Sequence, residues 1–134
     1  MSTDFVTDTH GLIWYLEDSP RLGVQALAAF DACDRGDSLI YIPTICLVEI
    51  IYLQEKGRIA SHLFDQLRSD LATGDTGFLL ADLTLEIADA IPSIPRSEVP
   101  DMPDRIIAAT ALQLGLPLIS RDQKIRSSMV TSIW

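Results

Sequence analysis

The sequence predicts an α/β fold of three layers, α/β/α, around a central and mainly parallel sheet of about 4–5 strands. Three observations carry that prediction. Short apolar runs bounded by turn residues alternate with longer stretches at helical spacing, a pattern that calls for parallel strands with helices on both faces. The run from Leu116 to Ser120 is short and largely apolar, as a strand buried on both faces requires. Acidic residues stand just past the ends of strands, the edge where open α/β sheets build their sites.

The chain of 134 residues has the length of one domain, residues 1–134, without a linker. Its hydrophobic fraction is 48%. No apolar run approaches the ~20 residues that span a bilayer, and the start MSTDFVTD lacks a basic region and an apolar targeting core. A soluble, cytoplasmic protein without membrane association is expected. Cys33 and Cys46 have no ligand spacing around them, so buried thiols are expected rather than a disulfide or a zinc site. The net charge of −9 excludes a generic nucleic-acid coat, whose binding rests on lysine and arginine neutralising phosphates. It leaves room for a nuclease whose acids hold metal ions.

The first strand, FVT, ends at Asp8, and THGLIWYL follows as a helix closed by Asp18, Ser19 and Pro20. Asp8 at this turn suits two roles, a helix cap or a site residue. Arg21 to Arg35 reads as an amphipathic helix, and SLIYI, Ser38 to Ile42, as the second strand. Pro43 and Thr44 open the next helix. Within it Glu49 interrupts an apolar run and lies far around the helix from Gln54 and Glu55, which mark the solvent face. Glu49 therefore points toward the protein. A carboxylate there needs a partner, either an arginine such as Arg105 or a metal ion.

Ile59 to Ala72 forms another helix, and GDTG makes a turn before the third strand, Phe78 to Leu83. Thr84 to Ala90 is a short helix. IPSIPRSEVPDMPD, rich in proline, is a loop that arrives at Asp101, the expected N-cap of the helix holding IIAATALQL. Gly115 ends that helix, Pro117 prevents its continuation, and the strand from Leu116 to Ser120 delivers Asp122. Asp122 to Ser127 is a turn or short helix, and Met129 to Trp134 a final strand.

Asp8 and Asp122 thus end strands, Asp104 starts a helix, and Glu49 faces inward from one. All four can reach the carboxyl edge of the sheet. Clustered carboxylates repel unless a cation compensates them, and oxygen ligands without nitrogen or sulfur select Mg²⁺ or Mn²⁺. One or two such ions support in-line attack of water on phosphorus. Arg105, Arg121, Lys124 and Arg126 flank Asp104 and Asp122 as candidates for contact with RNA or as ordinary solvated surface.

The segments TDTHGLIWYL, PTICLVEIIYLQEKGRI and DMPDRIIAATALQLGLPLISRDQKI, in this order, resemble the PIN-domain ribonucleases, and most closely the VapC-type toxins of toxin–antitoxin pairs. The resemblance spans essentially the full chain. It implies a PIN-like fold and Mg²⁺- or Mn²⁺-dependent endonucleolytic cleavage of RNA, with one or two ions per site. It also implies a homodimer and inhibition by an antitoxin that inserts a basic side chain into the acidic site. Asp8, Glu49, Asp104 and Asp122 correspond to the family's catalytic, metal-binding acids. Asp101 ranks second, and Thr9 and Ser120 stand where supporting hydroxyls occur. His10 occupies a position where the family commonly has serine or alanine, and reads as a helix-start residue; His62 reads as solvent-facing. Trp14, Tyr15, Leu47, Ile51 and Phe64 are either an apolar partner surface or core.

Two rival classes fit less well. An aspartyl-nucleophile phosphatase of the haloacid dehalogenase type needs a second acid where this chain has His10, and a cleft lysine that neither Lys56 nor Lys124 supplies. A receiver domain lacks its acidic pair and its late lysine. A catalytically idle PIN-like binding module is the remaining alternative.

Overall fold

The structure is a computed structural model that describes residues 3–126 and 129–134. The side chains of Gln123 and Arg126 lie outside the described residues, so the RNA-contact role expected of Arg126 has no structural counterpart below. Five strands are described: β1 (Phe5–Thr7), β2 (Ile40–Pro43), β3 (Phe78–Ala81), β4 (Leu118–Ile119) and β5 (Ser132–Ile133). They form one sheet in the order β3-β2-β1-β4-β5, and every pairing is parallel. Val6 sits at its centre, opposite Tyr41 on one side and Leu118 on the other.

The order places a switch at β1. Connections from β1 run outward to β2 and β3, and later ones run the other way to β4 and β5. With right-handed crossovers the two sets of helices cover opposite faces. The crevice between the carboxyl ends of β1 and β4 is then the place where such sheets bind ligands.

Helix α1 (Thr9–Leu16) follows β1 at once, because Asp8 caps it by accepting from the Gly11 N–H at 2.8 Å. Gly11 suits this tight turn, since a Cβ would crowd Asp8 Oδ1 at 3.0 Å and Ile119 at 3.2 Å. Helix α2 (Val24–Asp34) begins later than the expected Arg21. The reason is Gly23, which packs against Trp134, while the Gln25 N–H donates to the Trp134 carbonyl at 3.2 Å. Helix α3 (Thr44–Glu55) matches its expected start. Helix α4 (Leu63–Thr73) begins at Leu63 rather than Ile59, since Gln54 Oε1 accepts from the Phe64 N–H at 2.7 Å and caps it from another helix. Gln54 is accordingly half-buried, not on the solvent face.

Thr84 caps α5 (Leu85–Ala90), and a 3₁₀ turn at Ile91–Ser93 opens the proline-rich loop. Helix α6 (Met102–Leu114) ends at Gly115 with φ 67°, as expected of a left-handed stop. Helix α7 (Gln123–Arg126) is short, and β5 is narrower than the expected Met129 to Trp134.

The core gathers Leu12, Phe30, Ile42, Ile50, Leu67 and Ile107 around the sheet. Tyr15 stacks on Phe30 with centroids 4.4 Å apart. Trp14 is buried, and Leu47 and Phe64 pack against the core, so these candidates for a partner surface are chiefly core residues; Ile51 is half-buried. The exposed apolar face of α3 is instead Val48 and Tyr52, 43% and 58% exposed. Both cysteines are free and buried. No described helix is long and apolar enough to cross a membrane.

Candidate active site

The carboxyl edge of the sheet is built by chain direction. The Asp8 N–H donates to the Ile119 carbonyl at 3.0 Å, which fixes the end of β1 beside the end of β4. The Ser120 hydroxyl then links the two acids: its oxygen accepts from the Asp122 N–H at 3.1 Å, and it donates to the Asp8 carboxylate. Asp122 Oδ1 in turn accepts from the Lys124 N–H at 2.9 Å, at the start of α7. Glu49 reaches the same edge from α3, where its Oε1 accepts from the buried Thr9 hydroxyl at 2.5 Å. It is half-buried, and among the described residues no arginine pairs with it.

Asp104 lies in the first turn of α6. Burial pushes its carboxyl up to about 6, and the negative charges of Asp122, Glu49, Asp101 and Asp8 add to the shift in that order. The five acids named from the sequence therefore share one electrostatic neighbourhood. Asp8 is also raised, mainly by burial, against the opposing effects of Gly11, Ser120 and His10.

Asp101 holds the N-cap position of α6 but makes no side-chain cap bond. Pro103, the second helical residue, has no N–H to donate, and the Asp104 N–H, the other donor such a cap can use, is not engaged by the Asp101 side chain. Asp101 is exposed, and only its carbonyl engages the helix, accepting from the Arg105 N–H at 3.0 Å.

In kind, the donor set suits a hard cation, since it is made of carboxylate oxygens. Among the described residues, neither oxygen of Asp104 and neither Glu49 Oε2 nor Asp122 Oδ2 has a protein hydrogen-bond partner. In position, no three His, Cys, Asp or Glu among the described residues stand close enough together to hold an ion as they are. Uncompensated like charges favour that separation.

The basic candidates divide. Arg105 donates from Nε to the Ile94 carbonyl and from Nη2 to the Ile91 carbonyl, each at 3.1 Å, and so anchors the proline-rich loop to α6. Arg121 is exposed and lies over the Trp14 ring. Lys124 is exposed at the start of α7. His10 is exposed beside Trp14, and His62 is exposed ahead of α4. Arg21, which sequence reasoning passed over, also lies over Trp14; only the folded loop brings it there.

The PIN domain family model matches residues 5–127, the whole span from β1 through α7. The chain belongs to the PIN domain family. Ribonuclease VapC22 of Mycobacterium tuberculosis is 28% identical to it over 130 residues, covering 93% of this chain and 92% of that one. Among solved structures, VapBC2 from Rickettsia felis, bound to a promoter DNA fragment, superposes with a TM-score of 0.68 at 14% identity, over 98% of each chain. A toxin–antitoxin complex from Klebsiella pneumoniae gives 0.65 at 23% identity, over 99% of this chain and 97% of that one. The five-stranded parallel sheet of this PIN domain is thus the expected α/β/α architecture.

Proposed function

We propose that this PIN domain is a Mg²⁺- or Mn²⁺-dependent endoribonuclease, the toxin of a toxin–antitoxin pair, acting in the cytoplasm as a homodimer. One observation carries the reading. Asp104, raised to about 6, sits among four further acids at the switch point of the sheet, and none of the ion pairs among the described residues involves them. Such an arrangement is unfavourable without a cation.

Asp8, Glu49, Asp104 and Asp122 would hold the metal, with Asp101 at the rim. A bound ion of this class supplies activated water and stabilises the departing oxygen at phosphorus. The chain's own part is placement. Thr9 orients Glu49, Ser120 ties Asp8 to Asp122, and the Asp8 and Asp122 caps fix both carboxylates to helix starts. The relative from M. tuberculosis is a ribonuclease by name, and solved neighbours are toxin–antitoxin complexes, which supports RNA as substrate and an antitoxin as partner. A guanidinium from an antitoxin would find the charge there that a cation otherwise supplies.

The absence of three gathered ligands among the described residues favours, as a second reading, an idle binding module. Incubation of total cellular RNA with the purified protein and Mg²⁺, Mn²⁺ or excess chelator decides between them, with Asp8→Asn in parallel. Metal-dependent fragments that vanish in the variant support the nuclease. No cleavage together with no metal binding by calorimetry leaves the binding module.

A further inference from the structure

Two arginines and a histidine converge on one indole. The Arg121 guanidinium lies 4.6 Å from the Trp14 ring centroid, the Arg21 guanidinium 5.8 Å, and the His10 ring centroid 5.5 Å. Trp14 itself is only 6% exposed and is braced by Trp134, edge-on at 5.6 Å. Attraction to the ring holds each guanidinium in place, but it brings two like charges to one side chain.

Among the described residues, no carboxylate lies within ion-pair reach of Arg21 or Arg121, and neither guanidinium donates a hydrogen bond to protein. That is unusual in a chain with 19 acidic residues and 10 lysines and arginines. Both arginines are exposed, so their donors face outward from a rigid support. A guanidinium fork matches the oxygens of a phosphodiester. The buried ring is a bracket for the arginines and offers no face to a base.

The cluster adjoins the acidic rim. His10 acts electrostatically on Asp8, and Arg121 stands between Ser120 and Asp122. A polyanion that reaches five carboxylates on a protein of net charge −9 needs a local cationic anchor. We propose that Arg21 and Arg121, braced on Trp14, form a phosphate site that grips single-stranded RNA one step along from the bond placed at the acids. This rests on the ribonuclease reading and adds to it the residues that seat the substrate.

The test is binding of a fluorescein-labelled single-stranded oligoribonucleotide in chelator across a salt series, for wild type, Arg21→Gln, Arg121→Gln and Arg21→Lys. Cleavage rates with Mn²⁺ are measured alongside. Each glutamine variant should raise Kd roughly tenfold, as loss of a charged hydrogen bond does. Each should also lower the slope of log Kd against log salt by about 0.7, the release expected for one single-strand phosphate. Arg21→Lys keeps the charge and should keep the slope. Unchanged Kd and slope in both glutamine variants, with unaltered melting, overturn the site. If wild type cleaves no RNA yet the glutamine variants still lose binding, the nuclease reading fails and the phosphate site stands. If wild type cleaves and the variants bind as it does, the reverse holds.

Discussion

The Thr9 hydroxyl donates to Glu49 Oε1 at 2.5 Å, tying the first residue of α1 to the middle of α3. Thr9 is 3% exposed, while Glu49 is half-buried and still in reach of solvent. Thr9→Val keeps the shape and removes the donor, which leaves a half-buried carboxylate short of one bond. The expected cost is about 0.5–1.5 kcal/mol in chelator, read by denaturant unfolding, with weaker Mn²⁺ binding by calorimetry. Equal stability and equal metal affinity would show that Glu49 is positioned by something else.

Asp8 caps α1 and, on the proposed reading, also holds the metal, and its substitutions separate the two roles. Asn keeps an acceptor for the Gly11 N–H, whereas Ala does not. Asp8→Ala should lose about 1 kcal/mol relative to Asp8→Asn in metal-free unfolding, while both lose cleavage. A variant Asp8→Asn that melts as low as Asp8→Ala would remove the cap from the account.

The metal-free protein should become more stable as pH falls from 7 toward 5. Asp104 is raised to about 6 when folded, against the ordinary 3.8 of an aspartate. Between those values the folded state binds more protons than the unfolded one, so stability falls as pH rises. Asp8 is raised too and acts in the same direction. In chelator, Tm should rise by a few degrees on acidification across this range, and Asp104→Asn should flatten that rise and melt higher at pH 7. A Tm that falls steadily over the same interval in wild type contradicts the shifted carboxyl.

Arg105→Ala should loosen the proline-rich loop. Two guanidinium bonds to the Ile91 and Ile94 carbonyls are lost together, at a cost of about 1–3 kcal/mol. Amides of Ile94, Glu98 and Val99, which donate within that loop, should exchange faster with solvent deuterium. Unchanged exchange there would mean that proline stiffness alone holds the loop.

Much of this was readable from single positions. Helical angle alone turns Glu49 inward, and it does face α1. Gly115, just past the last apolar turn, reads as a left-handed stop and adopts φ 67°. Asp101 takes the N-cap position of α6 as its neighbours dictate, yet its carboxylate leaves the Asp104 N–H unengaged, a side-chain choice that the local sequence does not show. Gln54 was different. Nothing in its neighbours shows that its oxygen caps a helix beginning at Leu63, because the Phe64 N–H arrives there only when α4 packs on α3.

Local sequence dictates which segments become strands or helices and that acids stand at their ends. Apolar periodicity, prolines and glycines act within a few residues, so their effects survive without a fold. Tertiary structure alone decided the order β3-β2-β1-β4-β5, which sets Asp8 beside Ser120 and Asp122. Parallel strands offer nearly equivalent backbone ladders, and the choice of neighbour is made by packing across the whole chain. The same packing brings Arg21 and Arg121 to Trp14 and turns Arg105 toward the loop.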